Sequence, residues 1–253
     1  MRRAPAPAVD FGVYAKAVPL LVRNPAIMVI PLLMAVIGVL VGLMTSASGG
    51  GIIGGTTSGL SSFIVLLLQL FGLGAACLMA DDAWRHGHAS FENGWSEARR
   101  RGGDLLMAAL GVTLIFSVAQ YAGALLASLI PFYLGGFNAA ALLLMVAAAV
   151  FLIWAIPAAA VGGVSGGASI QTSIDRVRAT PATAVVAAII TFALLQFAVP
   201  YAASYLWVQV FAYAGGSVIV GLLIQALLGA IALAYVALFI TKTYTDGAFT
   251  RRW

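Results

Sequence analysis

The stretch "ADDAWRHGHASFENGWSEARRRGGD", residues 80–104, is the most polar part of an otherwise apolar chain. It holds five of the eight acidic residues, both histidines and four of the 13 lysines and arginines. Over the whole chain, charged residues make up 8% and hydrophobic residues 62%, and the mean hydropathy is +1.05. A soluble domain has about 25% charged residues. We therefore expect a membrane protein in which this stretch lies in water.

The apolar remainder divides into six segments that are each long enough to cross a bilayer, which takes about 20 residues. None of the six contains Asp, Glu, Lys or Arg, and they cover residues 26–44, 59–80, 105–130, 138–160, 182–206 and 217–241. Pro31, Pro157 and Pro200 lie inside three of them and predict kinks. The sequence therefore predicts an all-α polytopic fold, with six transmembrane helices in a single domain over 1–253.

The charges predict the orientation in the membrane. Every lysine and arginine falls in one of the two terminal segments or in the connections 81–104 and 161–181, which an even number of spans places on one side. The three opposite connections carry no charge. Because positive residues are retained in the cytoplasm, we expect both termini and the charged connections to be cytoplasmic.

Internal similarity predicts repeated units. A shift of 79 residues aligns "GHASFENGWSEARRRGGDLLMAAL" (87–110) with "GGASIQTSIDRVRATPATAVVAAI" (166–189) without a gap. Both copies carry an apolar stripe at helical spacing, and both stripes follow a serine that can cap a helix. The stripes are Phe91, Trp95 and Ala98 after Ser90, and Ile170, Ile174 and Val177 after Ser169.

A third copy is predicted at the start of the chain, with Asp10 as the cap. Its apolar face consists of Phe11, Tyr14, Ala15, Val18 and Val22. We therefore expect three repeats, over residues 10–80, 88–160 and 168–241. Each would have a short amphipathic helix at the cytoplasmic interface, followed by a transmembrane hairpin.

Basic and aromatic residues near the interface predict contacts with lipid. Tryptophan suits the interface because its ring is amphipathic, and each cation near an anionic surface contributes about 1 kcal/mol. The predicted lipid contacts are Trp95, Arg99, Arg100, Arg101, Arg176 and Arg178. Membrane lipids, anionic ones included, are the expected partners.

The spans carry no ionisable residue except the buried Cys77 and their tyrosines, which disfavours an ion-coupled transporter. Their polar residues of interest are four glutamines, Gln69, Gln120, Gln196 and Gln225. The favoured interpretation is hydrogen bonding between helices, at about 1 kcal/mol each. The alternative is a pore or a polar substrate site.

The polar stretch supplies the candidates for a metal site, Asp81, Asp82, His86 and His88, whose oxygen and nitrogen atoms are suitable ligands. The pattern is similar to the acidic motifs of membrane transferases that act on diphosphate lipids. Those enzymes take carboxylates from two places, and the other cytoplasmic connection offers only Asp175. Gly87 also interrupts the helix between the histidines. We therefore expect a solvated linker, with no metal and no cofactor.

Three segments together resemble a group of bacterial six-helix membrane proteins. They are "LLVRNPAIMVIPLLMAV" (20–36), "DDAWRHGHASFENGWSEARRR" (81–101) and "AIPAAAVGGVSGGASIQTSIDRVRATP" (155–181). The group includes the YciC-like proteins and the membrane domain fused to some glycerophosphodiester phosphodiesterases. The resemblance implies a bacterial inner-membrane location. It defines no catalytic residues, and the phosphodiesterase domain is absent from this sequence.

The leading functional expectation is a non-enzymatic inner-membrane protein, acting as a scaffold or a lipid-interacting subunit. One alternative is a permeation path or flippase-like passage for a neutral or lipid-like substrate. A second is a lipid-modifying enzyme with its site at 81–92. A homo-oligomer or a membrane complex is compatible with the sequence, and no nucleic-acid partner is expected.

Overall fold

The computed structural model describes residues 9–46, 52–129, 133–134, 137–211 and 218–249. Six helices in these ranges are long and apolar enough to cross a membrane. They cover Pro25–Met44, Gly59–His86, Gly102–Leu129, Ala139–Ala160, Pro181–Gln209 and Ile219–Asp246. The predicted all-α polytopic fold is confirmed, and each predicted span lies within or close to one of these helices.

The helices are numbered in chain order. They are α1 (Gly12–Arg23), α2 (Val29–Ser46), α3 (Ile52–His86), α4 (Phe91–Arg100), α5 (Gly102–Leu129), α6 (Ala139–Leu152), α7 (Ala155–Ala160), α8 (Gly166–Ala179), α9 (Pro181–Ala193), α10 (Val199–Leu206) and α11 (Val218–Phe249). A single 3₁₀ turn, Pro25–Met28, joins α1 to α2. Two strands of two residues each, β1 (Tyr133–Leu134) and β2 (Phe137–Asn138), pair antiparallel between α5 and α6.

A short helix precedes each transmembrane hairpin. The helix α1 precedes the pair α2–α3, α4 precedes α5 with α6–α7, and α8 precedes α9–α10 with α11. These three short helices lie at the end of the bundle that carries the described Lys, Arg, Asp and Glu residues, here named the charged end. The helices stand where the three-unit prediction expects them. That the three units superimpose stays a prediction.

Two of the three predicted proline kinks coincide with helix irregularities. The fourth span breaks at Ile153–Trp154, three residues before Pro157. The fifth span has a π-helical segment, Leu194–Ala198, just before Pro200. Proline has no N–H for the carbonyl four residues earlier, so the ladder is broken at these points. Pro31 lies in the first turn of α2, where no such bond is lost, and α2 is continuous.

The predicted caps fit two of the three short helices. Ser90 Oγ accepts from Asn93 N–H at the start of α4, and Asp10 Oδ1 accepts from Gly12 N–H at 2.8 Å. Ser169 is wrong as a cap. The helix α8 begins one turn earlier, at Gly166, and the buried Ser169 hydroxyl donates to the Gly166 carbonyl at 2.6 Å.

The tightest packing lies in the half of the bundle next to the charged end. Uninterrupted runs of buried residues occur there in three helices, over 72–80, 155–160 and 236–241. Small residues allow this close approach. A Cβ added at Gly94 of α4 would lie 2.2 Å from Met79 Cγ of α3. Gly94 therefore sets how closely the two helices approach.

Candidate functional site

A buried asparagine joins two parts of the charged end. Asn24 is 4% exposed and lies between α1 and α2. Its Nδ2 donates to the carbonyls of Leu20 (3.0 Å) and Gly87 (3.3 Å), and its Oδ1 accepts from Ala89 N–H (2.7 Å). Gly87 has φ +79°, a conformation that favours glycine. The turn between α3 and α4 is thereby held against α1.

Two tryptophans connect the last helix to the rest of this end. Trp84 Nε1 donates to the Leu238 carbonyl (2.9 Å), and the fully buried Trp154 donates through Nε1 to Thr243 Oγ1 (3.1 Å). The backbone N–H of Trp154, freed by the break in the fourth span, donates to Ser173 Oγ of α8 at 3.1 Å. These bonds satisfy polar groups in a buried region.

The three arginines at the end of α4 have different surroundings. Arg99 is exposed and forms no ion pair within the described residues. Arg100 and Arg101 both bond Glu97 Oε1, at 2.7 and 2.6 Å. Arg101 also donates to the Ala160 carbonyl at 2.8 Å, at the carboxyl end of α7. The hydrogen bond from Arg100, with the nearby Arg101, lowers the pKa of Glu97.

The predicted contacts on α8 and Trp95 are only partly open. The Arg176 guanidinium lies 3.8 Å from the centre of the Tyr244 ring and donates to the Tyr244 carbonyl, so it fastens α8 to α11. Arg178 is exposed, with Asp175 at 3.7 Å. Trp95 is half-buried and stacks on Phe91 with ring centroids 6.4 Å apart. Arg99, Arg100 and Arg178 are the most accessible of the predicted lipid contacts.

The predicted metal candidates do not converge. Asp81 forms an ion pair with Arg85 at 2.9 Å, and the exposed His86 and His88 have ring centroids 6.4 Å apart. His88 Nδ1 lies 3.2 Å from the His86 carbonyl. Within the described ranges, no three His, Cys, Asp or Glu side chains are grouped so that they could hold a metal ion.

The helix α1 presents two apolar faces. The first packs on the protein through Val13, Ala17 and Leu21, together with Tyr14, whose ring contacts Phe239 at 5.0 Å. Burial raises the pKa of Tyr14 to about 12.

The second face of α1 is open and is named the α1 stripe: Phe11, Ala15, Val18 and Val22. Phe11 is 65% and Val22 is 76% exposed. Four of the five residues of the predicted apolar face thus point away from the protein, as a helix at the membrane interface requires, and only Tyr14 faces the protein.

A partly open cavity of about 330 Å³ lies between five spans, whose residues line it, and Gln120 and Gln196 on its wall are exposed. Three of the four predicted glutamines, Gln69, Gln120 and Gln196, contribute to its wall, and so does Thr191. We name it the glutamine cavity. The rest of its wall is apolar and includes Phe116, Leu195 and Val236 among its residues.

A second cavity of about 630 Å³ adjoins the first on the side away from the charged end, and we name it the outer cavity. It shares Gln69 and Gln196 with the glutamine cavity and adds Gln225. In the described part of the chain, no hydrogen bond links any of the four glutamine side chains to another protein group. Among the described residues, the hydrogen bonds between helices that the sequence favours for these glutamines are therefore not found.

Two features of these sites are not apparent from the sequence. Asn24 belongs to a short "RNP" motif that reads as a turn, and nothing local indicates bonds to residues 63 and 65 positions away. The convergence of the glutamines depends on how five spans pack, which their depth alone does not determine. The sequence indicates their convergence only through their depth in the membrane, since all four glutamines lie in the central or outer part of their spans.

Comparison of the chain with protein-family models, with curated proteins and with solved structures gave no match.

Proposed function

We propose that this protein is a non-enzymatic subunit or scaffold of the bacterial inner membrane that binds anionic lipid at its charged end, on the cytoplasmic side. The observation that carries the proposal is the α1 stripe. It is an exposed apolar face on a helix that joins the first span through a single turn. An exposed apolar face beside a span is in place to enter the boundary between headgroups and acyl chains.

The charges of α1 fit the same placement. Lys16 and Arg23 are exposed, and neither forms an ion pair with a described residue. At 3.6 residues per turn they lie about 110–130° around the helix from the centre of the α1 stripe. With the stripe in the acyl boundary, both cations reach the headgroup layer, where each contributes about 1 kcal/mol near an anionic surface.

The other short helices support this function less directly. Glu97 balances part of the charge of α4, since it pairs with both Arg100 and Arg101. Arg176 is engaged with Tyr244. We therefore assign the main attraction for anionic lipid to α1, with Arg99 and Arg178 as additional contacts.

The test is lipid retention by the purified full-length protein, measured by native mass spectrometry with phosphatidylglycerol against phosphatidylcholine. The variant Lys16→Gln/Arg23→Gln should lose up to about 2 kcal/mol of attraction for phosphatidylglycerol at low salt. The matched control is Arg85→Gln/Lys242→Gln, which removes two cations of the same end that each pair with a carboxylate. Equal retention by both variants and the parent, at all salt concentrations, would contradict the proposal.

A further inference from the structure

The polar groups of the glutamine cavity have no hydrogen-bond partner among the described residues. A glutamine amide offers two donors and an acceptor with two lone pairs. Gln69, Gln120 and Gln196 all line one space, yet none of them bonds a described residue. The buried Thr191 hydroxyl in the same wall also has no hydrogen-bond partner among the described residues. An unsatisfied polar group in an apolar medium costs free energy, so a molecule that hydrogen-bonds these groups would be stabilised in the cavity.

The wall of the cavity restricts the charge of an occupant. None of its lining residues is Asp, Glu, Lys, Arg or His. An ion held there would have no countercharge, and an unpaired charge at this depth is strongly disfavoured. Gln69 lies roughly 25 Å along α3 from His86, at 1.5 Å per residue, well inside the membrane. The occupant is therefore uncharged.

The shape of the site favours an amphiphile. The amides form a small polar area on a mostly apolar wall, which is the usual composition of a ligand pocket, and pockets span about 300–1,000 Å³. The outer cavity continues from Gln69 and Gln196 for a further 630 Å³ or so. A polar head can lie at the shared glutamines while an apolar tail extends along either cavity.

Local backbone structure also marks this site. Gln196 belongs to the π-helical segment Leu194–Ala198, in which Val199 N–H bonds the Leu194 carbonyl. π-helical segments are rare in proteins overall, and those that occur often lie at functional sites. Towards the charged end, Met79, Trp154 and Phe239 are each at most 1% exposed and close the bundle. The cavity is therefore reached from the membrane or from the opposite end.

We propose that the glutamine cavity binds an uncharged amphiphile whose hydroxyl or amide head hydrogen-bonds Gln69, Gln120 and Gln196. This site is separate from the lipid contacts of α1, and its failure would leave the proposed function untouched. One alternative expected from the sequence is a passage for a neutral or lipid-like substrate. The proposed site would give such a passage a defined binding position.

The test uses two photoreactive probes with the same diazirine-bearing tail, a long-chain alcohol and the corresponding carboxylic acid, at a pH where the acid is ionised. Each is applied to the full-length protein in a neutral detergent, and labelled peptides are mapped by mass spectrometry. The alcohol should label peptides of α3, α5 and α9 saturably, and the acid should label them much less. Equal labelling by the acid would overturn the assignment of an uncharged ligand.

Three variants separate recognition from general apolar contact. Replacing Gln69, Gln120 and Gln196 together by Leu should reduce labelling by the alcohol about tenfold or more, because three hydrogen bonds are lost. Gln209→Leu is the matched control, since Gln209 is exposed and lines neither cavity, and it should label like the parent. Ala149→Phe fills the cavity with the amides intact, and it should also block labelling.

The triple variant should unfold at a temperature no lower than the parent, since it removes unpartnered polar groups. If it does not fold, Ala149→Phe decides the question. Labelling that persists in Ala149→Phe, or that is spread over the whole outer surface, would overturn the proposal. So would crosslinks between two chains at the glutamines, which would assign them to a second copy. A density map with only ordered water at the amides would do the same.

Discussion

The side-chain oxygen of Asn24 accepts a 2.7 Å hydrogen bond from the backbone N–H of Ala89, 65 residues further along the chain. With the bond from Nδ2 to the Gly87 carbonyl, this contact fixes the first span against the turn that ends the second.

Replacing Asn24 by Ala should destabilise the protein by about 1–3 kcal/mol, because Ala89 N–H and two carbonyls would lose a buried partner. The measurement is the midpoint of thermal unfolding in detergent. Asn24→Asp keeps the acceptor for Ala89 N–H and removes the donors to both carbonyls, so it should also lower the unfolding midpoint. A parent-like midpoint for Asn24→Ala would show that the contact carries no stability.

Gly94→Ala should destabilise the packing of α4 on α3, because the new Cβ would meet Met79. Overpacking of this kind costs about 1–3 kcal/mol. In the double variant with Met79→Ala, much of that cost should be recovered, since the obstructing side chain is gone. A double-mutant cycle on unfolding midpoints measures the coupling, and strictly additive effects would contradict the contact.

Glu97 should make a pH-dependent contribution to stability. Its pKa is lowered in the folded state by the Arg100 hydrogen bond. The contribution is therefore present above the unfolded value of about 4.3 and is lost as pH falls through the lower folded value. Glu97→Gln should cost roughly 0.5–1 kcal/mol at pH 7. The difference in the free energy of unfolding between this variant and the parent should decrease as the pH falls below about 4.

The comparison for Glu97 is Glu92→Gln on the same helix, because Glu92 is exposed and forms no ion pair with the described residues. The free energy of unfolding of that variant should equal that of the parent across the same pH range. If Glu97→Gln stays parallel to the parent down to pH 3, the two arginine contacts do not stabilise the carboxylate.

The polar stretch should hold no tightly bound metal. Asp81 is already paired with Arg85, and the exposed His86 and His88 do not converge with a carboxylate. Elemental analysis of the purified protein should find far less than one zinc or manganese per chain. A stoichiometric metal that disappears in His86→Ala/His88→Ala would reverse this expectation and favour the enzyme alternative.

The charged end should be cytoplasmic. A cysteine placed at exposed Ser96 should react with an impermeant maleimide only after the cells are opened. A cysteine at residue 48, in an uncharged connection, should react from outside. Background is low, because the single native cysteine, Cys77, is buried. The reverse labelling pattern would place the charged end outside.

The spans and short helices could be predicted because each depends on local composition. Apolar length determines a span, and the stripe Phe91, Trp95 and Ala98 with its cap Ser90 marks a short helix. Which face of a short helix is buried is a tertiary property. In α1 two apolar faces compete, and the sequence alone does not show that Val13, Ala17 and Leu21 face the protein.

The geometry of the candidate sites depends even more on tertiary contacts, which the sequence alone does not show. The sequence identifies four glutamines at a common depth, but only the packing of five spans brings Gln69, Gln120 and Gln196 to one cavity. The sequence likewise identifies the arginines near the interface, but it does not distinguish between them. Their different roles follow from the partners that folding provides: Glu97 and the Ala160 carbonyl for Arg101, and Tyr244 for Arg176.

The buried runs at 72–80, 155–160 and 236–241 bear on how the sequence can change over evolutionary time. Alanine and glycine are frequent throughout the chain, so composition alone gives no reason to treat one alanine differently from another. Where Ala76, Ala158 or Ala237 has no exposed surface, any larger side chain must displace a neighbouring helix. In a saturation library, these positions should accept almost nothing but Gly, Ser or Ala. Exposed alanines such as Ala182 should vary freely.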